Sequence, residues 1–460
     1  MQRGDIMRIR LVLAVWACKL AIFVSRLLGR NGSSMPGQIA LKICPKILTL
    51  LSSQVKHDTI VVCGTNGKTT TNNLLAAMIA SEGHRVVCNS LGANMIWGVC
   101  CAFCEKTNLF GRLRAEYACL EVDEASTVKV FSHIKPDYMV VSNLFQDQLD
   151  RYGAVDLTVD YLRRALALSK ETKLLLNADD PLVAQLGENT ERTCYYMGVD
   201  EKVNEDAGEN SEGRFCGLCG ARLSYEYSHY SQLGKFSCPS CGFRRREPDF
   251  RVHAVSVAEG LQFSLDYQGQ TAAFDVHYRG FYNVYNIALS YSAAVLALGK
   301  KPNHQAVLSA YKPQVGRMET FTIGNKTVIL NLAKNPAGFN QALATVLGEK
   351  RRKNILIGVN DNPSDGQDIS WLWSVDFEKL LDASVENLVV TGFRADELML
   401  RMKYAGFSED KQVKTRELKE AAAALVSGEA EVCYALVNYT VVFTMQEILK
   451  EMEGGAEHGA

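Results

Sequence analysis

The sequence predicts an α/β protein in two main parts, each built on a mostly parallel sheet. Three observations lead there. Short apolar runs without alternation recur at helix-length spacing, as in Thr59–Cys63, Arg85–Cys88, Tyr117–Val122, Tyr138–Ser142 and Lys173–Asn177, the pattern of strands buried on both faces. A glycine-rich turn after the first run opens a helix. A second set, Val328–Asn331, Ile355–Gly358, Leu388–Thr391 and Val432–Val437, starts only after Gly316. At 460 residues the chain exceeds a single core, so two or three domains are expected.

Composition narrows the class. Hydrophobic residues make up 47% and charged residues 22%, which are values of an ordinary globular protein. A net charge of -1 argues against a protein whose main task is nucleic-acid binding. Fourteen cysteines, four with metal spacing and the rest scattered, fit a reducing compartment rather than a disulfide framework.

Taken in order, residues 1–40 form the first element. Arg8–Arg30 is apolar but carries Arg8, Arg10, Lys19, Arg26 and Arg30. Lys19 interrupts the apolar run, so neither side has the length to cross a bilayer, and no small-residue cleavage pattern follows. The stretch reads as an amphipathic helix that either packs on the core or lies on the inner membrane surface. Both readings imply a cytoplasmic protein.

Residues 41–315 form the central domain. Thr59–Cys63 is a β-branched, apolar strand; Gly64, Thr65, Asn66 and Gly67 make a tight loop; Lys68, Thr69 and Thr70 open a helix. Strand, glycine loop and helix start present backbone N–H groups and a helix dipole to a phosphate. Lys68 would reach the β- and γ-phosphates and the Thr69 hydroxyl would hold Mg²⁺. Val62 stands where the full phosphate-loop pattern has glycine, so this is a shortened form. Glu121 ends the strand Tyr117–Val122, at the edge where parallel sheets bind ligands, and could complete a Mg²⁺ shell with Thr69. Asn177-Ala-Asp-Asp180 follows another strand and fits either a nucleotide contact or an ordinary turn. Asn143 to Asp150, after the preceding strand, has the same ambiguity.

The acidic, glycine-containing stretch 201–214 reads as a linker. Beyond it Cys216, Cys219, Cys238 and Cys241 form two Cys-x-x-Cys pairs about eighteen residues apart, each followed by glycine. Four thiolates leave no open position, so a Zn²⁺ held there would be structural. Cys100, Cys101 and Cys104 lack a second half and read as core thiols. Arg244, Arg245 and Arg246 could suggest nucleic-acid binding by the zinc module, but a lone basic triplet is more often a solvated face. Phe250–His277 alternates as antiparallel strands do, and Gly280–Ala297 returns to helix.

Residues 316–460 form the second α/β part, with a helix over Glu417–Leu425 and a frayed tail from Glu453. Its loop Asp361-Asn-Pro-Ser-Asp365-Gly-Gln-Asp368 places carboxylates after a strand end. As a plain turn, Asp368 would cap a helix starting near Ile369.

The loop Gly64–Thr70, Glu121, Asn143 with Asp147-Gln148-Leu-Asp150, Asn177-Ala-Asp-Asp180, Gly280-Phe-Tyr-Asn283-Val-Tyr-Asn286 and Gly316-Arg317-Met-Glu319 occur in the order found in Mur ligases, and the chain resembles that family over nearly its whole length. The resemblance implies a P-loop-containing Mur ligase central domain with an inserted four-cysteine zinc ribbon, followed by a C-terminal Rossmann-like domain. It also implies ATP and Mg²⁺ as cofactors, an acyl-phosphate intermediate, and nucleotide contacts by Asn177, Asp180, Asn283 and Arg317.

Departures from the family pattern sharpen the reading. Mur ligases carry a histidine where this chain has Gln148, and a metal-holding lysine where it has Ala165. Both second-metal ligands are therefore missing, and Lys334 or Arg317 would supply part of that charge. The zinc ribbon, Asn331-Leu-Ala-Lys334-Asn-Pro336 and the Asp365-to-Trp373 segment resemble one branch of the family: synthetase subunits that amidate lipid II at the membrane with ammonia from a separate GatD-type glutaminase. That resemblance makes Asp368, then Asp365, the carboxylate that orients the glutaminase histidine across the interface. The alternative is a Mur or folylpolyglutamate-type ligase that adds an amino acid. No nucleic-acid partner is expected.

Overall fold

The computed structural model describes residues 3–29, 31–145, 155–203, 213–257, 260–277, 280–311 and 315–457. They divide into two compact units. Apart from Gly280, the first holds the described residues up to 311, and the second those from 315 onward.

The first unit is built on nine strands: β1 (Thr59–Cys63), β2 (Val86–Cys88), β3 (Tyr117–Glu121), β4 (Tyr138–Val141), β5 (Lys173–Asn177), β6 (Cys194–Val199), β9 (Phe250–Ser256), β10 (Leu261–Tyr267) and β11 (Gln270–Val276), with β7 (Ser224–Tyr230) and β8 (Leu233–Ser237) as a separate hairpin. The sheet order is β11-β10-β9-β6-β5-β4-β1-β3-β2. From β2 to β9 neighbours run parallel, and β9, β10 and β11 form an antiparallel extension. All residues of β1, β3 and β4 are buried, as central parallel strands covered on both faces must be. β11 alternates buried and exposed positions and so keeps one face in water. The sequence did not announce the separate β7–β8 hairpin, and within the nine-stranded sheet β6 alone was not announced. Cys-Tyr-Tyr-Met-Gly-Val mixes half-buried and buried positions and has no clear period.

Helix Lys68–Ser81 covers the sheet over β1, β2 and β3, and helix Tyr282–Leu298 packs on that helix and over β5, β6, β9 and β10. Arg3–Leu27 packs through Leu11, Ala14, Val15, Cys18 and Ile22, so core packing is realised for this helix. Its outer face is apolar rather than polar, as described below. Cys100, Cys101 and Cys104 are buried on helix Ile96–Lys106, as expected of core thiols.

The second unit has six strands: β12 (Arg317–Ile323), β13 (Lys326–Leu332), β14 (Lys353–Gly358), β15 (Val385–Thr391), β16 (Gln412–Lys414) and β17 (Val432–Val437). They lie in the order β12-β13-β17-β14-β15-β16. β12 and β13 form an antiparallel hairpin turning at Gly324, and the remaining pairs are parallel. The last helix, Tyr439–Glu457, continues past Glu453, where the sequence suggested fraying.

Candidate functional site

The phosphate loop is closed by the strand beside it. Gly64 (φ +129°) and Gly67 (φ +82°) adopt conformations that L side chains rarely take. A Cβ on Gly64 would lie 2.2 Å from Ser142 Oγ and 2.9 Å from the Asn143 carbonyl oxygen, and one on Gly67 would lie 2.0 Å from Asn286 Oδ1. Asn143 grips the loop from β4's end. Its Oδ1 accepts from Asn66 N at 2.8 Å, its Nδ2 donates to Asn66 O at 3.0 Å, and its carbonyl accepts from Thr65 N at 2.8 Å. Thr65 Oγ1 donates to Phe145 O at 3.1 Å and accepts from Phe145 N at 2.9 Å. Asn143 thus braces the loop, a role beyond the nucleotide contact or ordinary turn that its sequence left open. Gln148, Asp147 and Asp150 lie outside the described residues.

Lys68 folds back over the loop. Its Nζ donates to Gly64 O at 2.5 Å and to Glu124 Oε1 at 3.2 Å. Glu124 Oε1 also accepts from Gly64 N at 2.7 Å. Both residues are buried. A carboxylate therefore occupies donors that a phosphate would use. The sequence pointed to Glu121 and passed over Glu124; its only signal was that it is one of three carboxylates within residues 121–124 of the same strand-end loop.

Glu121 sits fully buried at the end of β3, with Asn94 Nδ2 donating to its Oε1 at 3.2 Å. Gly92 (φ +73°) lies over the space it shares with Thr69. A Cβ there would be 3.5 Å from Thr69 Oγ1 and 4.0 Å from Glu121 Oε2. A hydroxyl and a carboxylate beside that opening form a hard oxygen donor set suited to Mg²⁺. Asn283 faces the same loop from helix Tyr282–Leu298: its Oδ1 accepts from Asn286 Nδ2 at 3.0 Å, and Asn286 is the residue that bars a side chain at Gly67. One turn further, Ser290 Oγ donates to Thr71 O at 3.0 Å.

Asn177 and Asp180 are placed differently from the expectation that they meet nucleotide. Both are fully buried with partners in the chain itself. Asn177 Nδ2 donates to Ser142 O at 2.8 Å, while its Oδ1 accepts from Asp179 N at 3.0 Å. Asp180 Oδ1 caps the short helix Pro181–Ala184 through Leu182 N at 2.9 Å, and Oδ2 accepts from Leu144 N at 2.8 Å. Burial pushes its carboxyl up to about 7 against the pull of those donors. In this structure both side chains are architectural. Ala165 is likewise fully buried on helix Val155–Ala167, in the core cluster.

The four cysteines converge. The sulfurs of Cys216, Cys219, Cys238 and Cys241 lie within 4.8 Å of one another. Backbone N–H groups of Leu218 and Cys219 point at Cys216, and those of Ser240 and Cys241 at Cys238, lowering the latter to about 6. Gly220 and Gly242 (both φ +76°) complete the two turns. Burial outweighs those donors at Cys216, whose thiol is raised; four sulfurs clustered this closely nonetheless fit tetrahedral Zn²⁺.

The four-cysteine module is tied to the nine-stranded sheet. Arg245 Nε donates to Asp179 Oδ1 at 2.6 Å, Nη2 to Val199 O at 3.1 Å and Nη1 to Asp200 Oδ1 at 3.2 Å. Arg246 pairs with Glu188 at 2.7 Å. Two of the three arginines of the triplet are thus engaged within the protein. At the turn between β7 and β8, Gln232 Nε2 donates to Leu144 O at 2.7 Å. Leu144 lies between Asn143 and Phe145, the two residues that grip the phosphate loop, so the β7–β8 hairpin buttresses that loop one residue removed. Arg245→Ala would strip a buried carboxylate of its cation. We expect a loss of about 3–5 kcal/mol in urea unfolding, and a loss under 1 kcal/mol would mean that Asp179 is satisfied by its other donors.

In the second unit the loop after β14 separates its aspartates by environment. Asp361 pairs with Arg394 at 2.5 Å. Asp365 is buried, and its carboxylate accepts from Thr440 N at 2.8 Å and Thr440 Oγ1 at 2.6 Å, at the start of the last helix. Asp368 is half-buried and its Oδ1 accepts from Ser370 N at 2.8 Å. A 3₁₀ turn, Ser370–Ser374, follows, where the sequence suggested a helix starting near Ile369 behind Asp368. Lys334, half-buried, follows β13 directly before Asn335, which caps helix Pro336–Gly348 through Gly338 N at 2.8 Å. Arg317 opens β12, where a bulge separates it from Glu319.

Comparison with known proteins places this arrangement. Residues 62–238 match the Mur ligase middle domain and residues 332–442 the MurT ligase C-terminal domain. The chain is 36% identical to the lipid II isoglutaminyl synthase (glutamine-hydrolyzing) subunit MurT of Staphylococcus aureus strain COL, over 96% of this chain and 98% of that protein. It is 31% identical to the subunit of the same name from Streptococcus pneumoniae, with the same shares covered. Among solved structures its fold is similar to a pseudomurein peptide ligase type C from Methanothermus fervidus (TM-score 0.68, 22% identity, 88% of this chain and 80% of that one). It is also similar to a MurF ligase of Thermotoga maritima in complex with ADP (TM-score 0.64, 14% identity, 92% and 85%). With a MurT-type C-terminal domain behind a Mur ligase middle domain, and relatives of 31–36% identity along nearly its whole length, the chain belongs to the MurT family.

Proposed function

We propose that this chain is the ATP-using synthetase subunit of a lipid II isoglutaminyl synthase. A carboxylate oxygen of stem-peptide D-glutamate attacks the γ-phosphorus of ATP and ADP leaves. Ammonia then attacks the acyl carbon of the resulting acyl phosphate, phosphate departs with the C–O bond, and one proton is released to give D-isoglutamine. One observation carries this reading: the phosphate loop with Lys68, Thr69 and Glu121 sits in a chain that matches MurT subunits along 96% of its length.

Within that reading Lys68 leaves Glu124 for the triphosphate, and backbone N–H groups from Gly64 to Thr70 hold its oxygens. Thr69 and Glu121 would hold Mg²⁺, which would supply positive charge for phosphoryl transfer. The four cysteines hold Zn²⁺ as a structural ion. Lys334 and Arg317 would supply positive charge to the carboxylate being phosphorylated, and a Lys334→Ala enzyme with unaltered steady-state kinetics would remove Lys334 from that role. A lipid-linked substrate sets the reaction at the inner face of the membrane.

Ammonia comes from a GatD-type glutaminase subunit, whose histidine Asp368 orients. The different surroundings of the aspartates favour it: Asp365 is buried under Thr440 and Asp361 is tied to Arg394, whereas Asp368 is partly open to a partner. In the assembled complex Asp368→Asn should lower glutamine-dependent turnover on the order of 10²- to 10⁴-fold, while turnover with ammonium chloride stays near wild type. Equal loss with both nitrogen sources would place Asp368 elsewhere in the reaction.

The whole reading is tested by incubating the co-purified complex with lipid II, ATP and glutamine and following the product by mass spectrometry. Exchange of a carboxylate for an amide is expected. Incorporation of an amino acid instead would make the chain a conventional Mur or folylpolyglutamate-type ligase.

A further inference from the structure

Helix Arg3–Leu27 has two apolar faces. Opposite the buried side, Ile9, Leu13, Trp16, Leu20, Phe23 and Leu27 are between 48% and 71% exposed. Alternating spacings of four and three residues hold them in one stripe along the helix. The stripe widens onto an adjacent turn. Trp16 Nε1 donates to Leu109 O at 2.7 Å, and Leu109 and Phe110 are both exposed beside it. Isolated exposed apolar side chains need no explanation, but a continuous patch of this kind does.

Charge says what covers it. At about 100° per residue, Arg8, Lys19 and Arg26 fall on one flank of the stripe and Arg10 on the other. From Ile6 to Gly29 the sequence contains no acidic residue. Glu105 of helix Ile96–Lys106 is the acidic group facing that flank. It binds Arg26 at 2.5 Å, and its carbonyl accepts from Lys19 Nζ at 3.0 Å. Arg112, exposed, follows Phe110 on the turn. Pairing of two copies through this face would set like-charged flanks together without the acidic partners that coiled coils use. An anionic lipid surface answers both features: acyl chains for the stripe and phosphates for the basic edges. No described helix is long and apolar enough to cross a membrane.

We propose that this face of the first helix lies on an anionic bilayer, its stripe among the outer acyl carbons and Arg8, Arg10, Lys19 and Arg26 at the headgroups. The contact deepens the lipid II reading, on which its use in the cell rests, but it needs no substrate to form. Enzyme and lipid-linked substrate would then meet by diffusion in a plane.

The test uses the full-length chain and vesicles of phosphatidylcholine with or without phosphatidylglycerol, free of lipid II. Sedimentation with the anionic vesicles should be at least tenfold stronger than with the neutral ones. It should weaken with salt and fall at least tenfold in Leu20→Glu/Phe23→Glu. Both of those side chains are already exposed, and a melting curve confirms the variant's fold. Brominated phosphatidylglycerol should quench wild-type fluorescence more than that of Trp16→Phe, a readout that does not depend on a charged substitution. The proposal is overturned if wild type stays in the supernatant at low salt, or if the double variant binds like wild type. It is equally overturned if the variant's sole defect is loss of the glutaminase subunit or of self-association, which would make this face a protein interface. A water-soluble short-chain lipid II separates the two readings. Amidation without vesicle binding removes the membrane face and leaves the reaction standing, and vesicle binding without amidation does the reverse.

Discussion

Cys238→Ser protein should purify without stoichiometric zinc, melt well below wild type and bind ATP about tenfold more weakly, the equivalent of about 1.4 kcal/mol. The stability loss follows from what metal does for such modules: apparent binding energies of about 10–16 kcal/mol become folding energy, and the ribbon's own core is small, formed by Leu223, Phe236 and Phe243 around Cys216 and Cys238. The nucleotide effect is less expected, because the thiolates themselves are not part of the phosphate loop. It arises through Gln232, whose amide holds the Leu144 carbonyl between the two residues that grip Thr65 and Asn66. Gln232→Leu keeps the volume and removes the donor, so it should reproduce the ATP defect with zinc retained. Metal analysis, thermal melting and calorimetric titration with ATP separate these effects. Zinc-free protein with wild-type ATP affinity would show the ribbon to be energetically independent of the loop.

Gly64→Ala should abolish ATP-dependent turnover by at least about 10²-fold, the scale on which loss of preorganised donors acts. The new methyl group would meet backbone atoms of Asn143, at 2.9 and 3.0 Å, as well as Ser142 Oγ, and a backbone cannot swing aside as a side-chain end can. Gly83→Ala is the control. Gly83 is also left-handed, at φ +87°, but has nothing within 4 Å of its would-be Cβ. It should therefore cost only the conformational strain, about 1–3 kcal/mol, and leave turnover intact. Equal losses from the two substitutions would assign the effect to strain rather than to the closure of the loop against β4.

Legibility in the sequence followed the range over which each contact acts. β1 and its glycine loop are local statements, an apolar β-branched run and two positions needing positive φ, and they could be read from twelve residues. The cysteine turns were equally local: the sequence anticipated backbone donors to the thiolates, and Cys216 and Cys238 receive them. Glu124 was not legible, because three carboxylates lie within residues 121–124 and only the fold selects the one that reaches Gly64 N. Asn177 and Asp180 read as ligand groups after a strand end. Asn177 is held by the end of the neighbouring strand through the Ser142 carbonyl, and Asp180 lies under Gln232 of the inserted hairpin, more than fifty residues on, whose Nε2 is 3.4 Å from its Oδ2. Arg245 likewise looked like surface charge until Asp179, Val199 and Asp200 were brought to it. β6 escaped because its neighbours β5 and β9 supply the order that its own composition lacks.

The grip of helix Tyr282–Leu298 on the phosphate loop bears on the order of events during synthesis. Ser290 and Thr71 are 219 residues apart in the chain, and Asn286 meets Gly67 over a like separation. At roughly 5–20 residues per second, a ribosome takes about ten seconds or more to deliver that helix after the loop has emerged. Until then the glycine loop lacks the wall formed by Asn283 and Asn286. A nascent chain halted before Tyr282 should accordingly fail to retain ATP, while one released beyond Leu298 should hold it, with the C-terminal sheet still unmade.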